Sequence, residues 1–361
     1  MKILVINPGS TTTKLAVYED QQEIFQQKID HAQDLEFQQK FKGPHNIFNQ
    51  FEHRAKNIEE VLKQNNINQL DAVVGRGGMM PPITSGTYQI NDKMLDDLKN
   101  HPQANHASNL GAPLAKKIAQ DFNISDKAYI VDPVTTDEIL PKHKITGISE
   151  IKRYAAWHAL NQKAVSREYA KSINKNYEDL NLIVAHLGGG ASFGAHKHGK
   201  TVNVLNALSG EGAFTPERSG AIPAQNIIEL CFSKKYTKEQ MIYLIAGGGG
   251  LSSLLNTKDV FGLRQNYESL SQDQIDVLDE MITGFSRSTC SLIPDLEGEY
   301  IDQIIITGGL AQWPLITDKI KKDLLHLNIG ITVIPGEFEL EALRDGTLRV
   351  LSGQELAKEY K

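Results

Sequence analysis

Cysteine is almost missing from this chain: Cys231 and Cys290 are the only two. They stand in no metal-ligand spacing and cannot staple a small domain, so a disulfide framework and a cysteine zinc site are both excluded. Long apolar runs are missing too. The first, Ile3 to Ile6, is ended at once by Asn7, Pro8 and Gly9, too short for the apolar region of a signal peptide. No stretch approaches the roughly 18 apolar residues of a membrane span. There is no run of Lys and Arg, and the net charge is -6. Nucleic acid and anionic membranes are therefore not expected partners. These absences point to a cytoplasmic protein.

What is present is ordinary globular material. Hydrophobic residues make up 40% and charged residues 23% of 361 residues, enough for two cores at about 150 residues per domain. Strand and helix patterns alternate, which is the α/β class. ILVI, LAVYE, LDAVVG, AYIVD, LNLIVAH, DQIIIT and ITVIP read as strands. Helices are expected over about 54–64, 110–122, 149–172, 225–232, 238–245 and 272–292, and from about 338. Ser271 and Gln274 fit a capping box for the sixth of these.

The chain repeats itself. LVINPGSTTTKLAV, residues 4–17, aligns without gaps to IVAHLGGGASFGAH, residues 183–196. Each copy reads strand, small-residue loop, strand. Two copies half a chain apart predict two similar domains facing one cleft. We expect the first to span residues 1–135 completed by 336–361, and the second 136–335.

The two loops suit phosphate. Backbone N–H groups converge on an anion where small residues let the chain approach closely. NPGSTTTK offers Gly9, four hydroxyls and Lys14, and HLGGGAS offers Gly188 to Gly190. Neither loop has the G-x-x-x-x-G-K-[ST] spacing or stands between a strand and a helix. A third turn, Gly308-Gly309, follows DQIIIT, so three turns could hold the three parts of ATP. The run Gly247–Gly250 reads as a flexible interhelix loop, and Asp259 beyond it is a candidate for the adenosine side.

A second set of residues suits an anionic acceptor. A carboxylate is already ionised at neutral pH, so a phosphoryl transfer to it needs cations and metal ligands more than a base. Arg76 ends a buried strand before Gly77-Gly78, Arg218 lies in the turn-rich FTPERSG, and Asp132 ends a strand before Pro133 with its carboxylate expected at the cleft mouth. His158 is read on one face of the helix 149–172, with Ile151, Tyr154, Ala155 and Ala159. Alone it could equally be a satisfied core residue.

NPGSTTTK, VVGRGG, VDP, WHAL, HLGGGAS, FTPERSG, TGGL and VIPGEFELEAL together resemble the acetate and butyrate kinase family, in family order along nearly the whole chain. The resemblance implies two ribonuclease H-like, actin-like ATPase domains facing across a cleft, a homodimer or higher homo-oligomer, and the cofactors ATP/ADP and Mg²⁺. It implies reversible phosphoryl transfer to butyrate; acetate, propionate or branched-chain acids are the alternatives, and a filament-forming ATPase is a remote one. By resemblance Asn7 and a late glutamate, Glu337 ahead of Glu339, serve the metal. Ser10, Thr12, Lys14, His186, Leu187, Gly188, Gly189 and Gly190 serve the phosphates, and Gly308 and Gly309 the adenosine. Arg76, Asp132, His158 and Arg218 are the catalytic set. The sequence departs from the family's Phe-Asp-Thr at Val131-Asp132-Pro133, and Trp157 replaces a Phe. Acetate kinases usually carry Val-Val after the arginine that corresponds to Arg76, where this chain has Gly77-Gly78 or a shortened loop. The lost bulk predicts room for a longer acyl chain over a Trp157 floor.

Overall fold

The computed structural model describes residues 1–41 and 46–361. The chain forms two compact units, Met1–Thr136 with Phe338–Lys361, and Asp137–Glu337. Among the described residues no helix is long and apolar enough to cross a membrane.

The first unit is built on β1 (Lys2–Pro8), β2 (Thr12–Glu19), β3 (Gln22–Asp30), β4 (Ala72–Arg76), β5 (Thr87–Gln89) and β6 (Ala128–Val131). With the short strand Lys358–Glu359 at one edge they give the order β5-β6-β4-β1-β2-β3. Inner strands β1, β4 and β6 are almost continuously apolar because both faces are covered, whereas the edge strand β3 is polar and largely open. The helix Phe51–Gln64 buries Arg54, Ala55, Ile58, Val61 and Leu62, one stripe at helical spacing. Burying Ile58, Val61 and Leu62 contributes about 1.5–3 kcal/mol each.

The second unit repeats the plan with β7 (Asn181–Leu187), β8 (Ala191–Lys197), β9 (Lys200–Leu205), β10 (Gln303–Gly308) and β11 (Ile331–Pro335), in the order β11-β10-β7-β8-β9. In both sheets the first three strands form an antiparallel meander and the fourth lies parallel to the first. The repeat goes deeper than the motif. Asn7 pairs with Lys14 across the first hairpin and His186 with Ser192 across the second. The second loop is therefore one residue shorter, and the gapless alignment fails inside the turn. Allowing for that residue, the bulge at Val17/Tyr18 coincides with the one at Ala195/His196. Each unit also borrows its last helix. Glu339–Leu351 follows β11 but packs on β1, β4 and β6, and Ala159–Ser172 lies beyond β6 but packs on β7 and β10.

The expected helix over 149–172 starts ten residues late, at Ala159. Ala155, Ala156 and Trp157 are buried in succession while Ile151 and Tyr154 are exposed. Three consecutive buried residues beside open apolar ones do not fit a one-faced helix. The segment instead runs irregularly into the core, and His158 is the residue that precedes the helix.

Candidate active site

Parallel strands deliver side chains at their carboxyl ends. In the first unit Asn7, Arg76 and Asp132 occupy the ends of neighbouring strands β1, β4 and β6. Asn7 Nδ2 donates to Glu339 Oε2 at 2.6 Å, and Arg76 donates to Asn7 Oδ1 at 3.3 Å. The Arg76 guanidinium grips Glu339 with both arms, Nη1 to Oε2 at 3.1 Å and Nη2 to Oε1 at 2.8 Å. Glu339, not the favoured Glu337, is thus the carboxylate beside Asn7. It opens a helix that packs on β1, while Glu337 lies two residues earlier on the exposed approach. Asp132 is only 1% exposed. It does not project into the open: its φ of 37° turns the chain inward, and Oδ1 accepts from the Gly86 amide at 2.7 Å.

Beside this cluster, the loop between β1 and β2 exposes Ser10 and leaves Thr12 and Lys14 half-buried on one face of β2. Thr13 alternates to the opposite face, so only three of the four hydroxyls are offered outward. Its own is used inside, by His31 Nε2 at 2.8 Å and Arg54 Nη1 at 2.9 Å. Arg54 went unnoticed in the sequence, where it was one arginine in a helix. It is fully buried, and it donates to the carbonyls of Thr12 and Ser10 at 3.0 and 3.1 Å and to Gln50 at 2.9 Å. All these partners are neutral, and burial draws its pKa down to about 10. A cation thus sits directly beneath the loop.

In the second unit the loop Gly188–Gly190 is held by FTPERSG: Thr215 Oγ1 and the Glu217 amide both donate to the Gly189 carbonyl, at 2.6 and 3.1 Å. Arg218 lies beside Gly190 and donates to the Ala246 carbonyl. Its Nε is buried without a hydrogen-bond partner, and burial lowers its pKa. The run Gly247–Gly250 corrects the flexible-loop expectation. A Cβ at Gly250 would lie 1.7 Å from the Thr215 carbonyl, and one at Gly249 2.7 Å from the Ser219 amide. These glycines are bare so that two backbones can touch and fix the Arg218 turn. Asp259 caps the short helix Val260–Gln265 by accepting from the Gly262 amide at 2.9 Å.

Leu187 is buried at the end of β7, and His186 pairs with Thr307 near the ends of β7 and β10. Gly308 and Gly309 follow, with Gly308 bonded both ways to Gly336. The His158 and His186 rings stack at 3.8 Å with an 11° tilt. His158 Nδ1 is 2.8 Å from Ser192 Oγ and His186 Nδ1 is 2.8 Å from Asn161 Oδ1.

The profile of the acetokinase family matches residues 139–330. "Butyrate kinase 2" of Clostridium acetobutylicum is 47% identical over 100% of this chain and 99% of its own. A "probable butyrate kinase" of Clostridium botulinum strain Eklund 17B is 43% identical over 99% of each. The chain belongs to the acetokinase family. Its fold agrees. Porphyromonas gingivalis acetate kinase superposes with a TM-score of 0.78 over 97% of this chain and 99% of that one, at 16% identity. A Francisella tularensis propionate kinase gives 0.74 over 95% and 98%, at 18% identity. The two units are the α/β, ribonuclease H-like halves of the actin-like ATPase fold.

Two expectations drawn from the acetokinase resemblance do not hold. Gly77 and Gly78 open no room: a Cβ would stand 2.5 Å from Pro133 Cβ at the first and 2.7 Å from Asn109 Cα and Leu98 Cδ2 at the second. Neighbouring residues have filled the space of the missing valines. Trp157 is no pocket floor either; it is 1% exposed, clustered with Ile139, Ala155 and Val204 and set edge-on to His196. The chain also contains one literal P-loop spacing, GAHKHGKT from Gly194 to Thr201. It forms the β8–β9 hairpin, turning at His198 and Gly199 with φ of 49° and 78°. That is a two-residue turn between strands, not a phosphate loop before a helix.

Proposed function

We propose that this protein reversibly transfers the γ-phosphoryl group of ATP to butyrate, forming butyryl phosphate and ADP. The observation that carries the reading is 47% identity to a butyrate kinase along the entire chain. The Asn7–Arg76–Glu339 cluster supports it chemically. The planar guanidinium of Arg76 matches a carboxylate with two parallel hydrogen bonds, and Glu339 already engages it in that way. A substrate carboxylate would bind the same fork. Glu339 and the amide oxygen of Asn7 are hard oxygen donors of the kind Mg²⁺ takes, its remaining positions going to water and phosphate. Bound there, the ion would neutralise phosphate charge.

The chain's own residues supply the rest. Ser10, Thr12, Lys14 and the amides of Gly188–Gly190 serve phosphate oxygens, with Arg54 adding positive field under the first loop. Arg218, with its unpartnered buried Nε, and His158 bear on charge that develops during transfer. We assign His186, Leu187, the Gly188–Gly190 loop, Gly308, Gly309 and Asp259 to binding the nucleotide. Asp132, held by Gly86, orients its surroundings and takes no proton from an acceptor that is already ionised. The test is trapping of acyl phosphate with hydroxylamine, using ATP, Mg²⁺ and acids of two to six carbons. Butyrate should give the highest kcat/KM; an enzyme preferring acetate, or making no hydroxamate, would overturn the reading.

We place the enzyme in the cytoplasm as a homodimer. The helices Ala224–Phe232 and Lys238–Ala246 support this, since they leave Ile228, Phe232, Ile242 and Tyr243 exposed. Light scattering should give a dimer mass for wild type and a monomer mass for Phe232→Glu with Ile242→Glu. A monomeric wild type would refute it.

A further inference from the structure

The hydrogen bonds that run from His158 through Ser192, Gln162 and His196 to Tyr177 can be given directions, because the partners include atoms whose role is fixed. Gln162 Nε2 lies 3.0 Å from the backbone carbonyl oxygen of Ser192. A carbonyl only accepts, so this amide nitrogen is correctly placed and Gln162 Oε1 is the acceptor. Oε1 lies 3.0 Å from His196 Nε2, which must then carry a proton. Burial, with the Lys163 ammonium nearby, pushes the His196 pKa well below its usual value. His196 is therefore neutral with a single N–H, and its Nδ1 accepts from the Tyr177 hydroxyl at 2.6 Å. On the other side, Ser192 Oγ receives an N–H from Gln162 Nε2 at 2.9 Å and the His158 backbone N–H at 3.2 Å. Both lone pairs are used. Only the hydroxyl proton remains, and His158 Nδ1 is its acceptor at 2.8 Å.

We propose that Tyr177, His196, Gln162 and Ser192 are positioning residues that hold His158 in the tautomer with its proton on Nε2, so that the ring offers the transferring phosphoryl group a neutral N–H donor. The tautomer follows from the hydrogen bonds alone; what the ring donates to rests on the kinase reading above. His186 is set the opposite way. Asn161 Nδ2 faces the Gly336 carbonyl at 3.4 Å, which leaves Oδ1 to accept from His186 Nδ1 at 2.8 Å. The two stacked rings therefore hold their fixed protons on different nitrogens. A proton on His158 Nδ1 would require Ser192 Oγ to accept a third hydrogen bond. That suits a reaction whose acceptor is already ionised: a donor toward developing phosphate charge is useful, and a base is not.

The test uses full-length protein labelled with ¹⁵N-histidine and long-range ¹H–¹⁵N correlation, with His158 assigned from the signals missing in His158→Gln. Wild type should show the unprotonated nitrogen of His158 at Nδ1, and a proton on Nδ1 of His186. Ser192→Ala should shift His158 toward the Nδ1–H form. It should lower kcat about ten- to a hundredfold and leave the KM for ATP within about twofold. Ser192→Thr, which keeps the hydroxyl, should retain both the tautomer and most of kcat. A wild-type His158 protonated on Nδ1 would overturn the proposal. So would a Ser192→Ala enzyme that loses kcat while the His158 signals stay unchanged. If wild type made no acyl phosphate, the kinase reading would fall, and the spectra would still decide the tautomer.

Discussion

Residues with the same chemistry acquire different roles here through small differences of position. Glu337 and Glu339 lie two apart, yet only Glu339 reaches Asn7 and Arg76. Sequence order favoured the glutamate nearer the strand end; the first turn of the following helix decided otherwise. Glu339→Gln keeps the shape and removes the charge. If Glu339 holds the metal as proposed, its apparent affinity for Mg²⁺ should fall at least about tenfold, with kcat falling alongside. Glu337→Gln should stay within about twofold of wild type. A coupled assay across a Mg²⁺ titration checks this, and equal damage from both substitutions would reverse the assignment. Arg76 and Arg218 stood out in the sequence because glycines and turn residues surround them. Arg54 was not, since an arginine inside a helix normally faces water. Only the packed loop above it reveals a buried one.

At the scale of elements, glycine-rich segments misled twice, for one reason. A glycine in sequence marks either freedom or contact, and the two look alike until neighbours are known. Gly249 and Gly250 are contact points against Thr215 and Ser219, and Gly77 is one against Pro133. Gly77→Val therefore overpacks a filled site and does not trim an acyl pocket. We expect a loss of about 1–3 kcal/mol in stability, read as a lower midpoint in denaturant. The kcat/KM values for acetate, propionate, butyrate and valerate should all fall by a similar factor. A loss confined to butyrate and valerate would restore the pocket reading. The helix expected from Ser149 failed through a related ambiguity. An apolar residue every third or fourth position resembled an amphipathic face, but the run Ala155–Trp157 is buried outright. The capping box at Ser271 and Gln274 was legible because it is purely local.

For the molecule as a whole, two buried histidines tie stability to pH. His31 beneath the first loop is drawn down to about 4, chiefly by burial and then by Arg54, and His196 in the second unit is shifted the same way. Unfolded, each would titrate near the ordinary histidine value of about 6.5. Between about pH 6.5 and 4 the unfolded chain therefore binds more protons than the folded one. The stability from neutral burial is complete above that window and is lost as the pH falls through it. His31 alone should contribute a slope approaching about 1.4 kcal/mol per pH unit. Urea unfolding at pH 7 and pH 5 should show wild type losing more than His31→Gln, and an identical loss in both would refute the linkage. Glu297 and Glu299, held down to about 2 mainly by their lysine hydrogen bonds, act only at lower pH. The sequence by itself determined the α/β class, the duplicated hairpin and the residues at the strand ends, because strand alternation and loop chemistry are local. Tertiary structure alone decided which glutamate meets Asn7, which glycines are contacts and which nitrogen of His158 holds its proton. Those depend on partners tens to hundreds of residues away, brought together only when the sheets and helices pack.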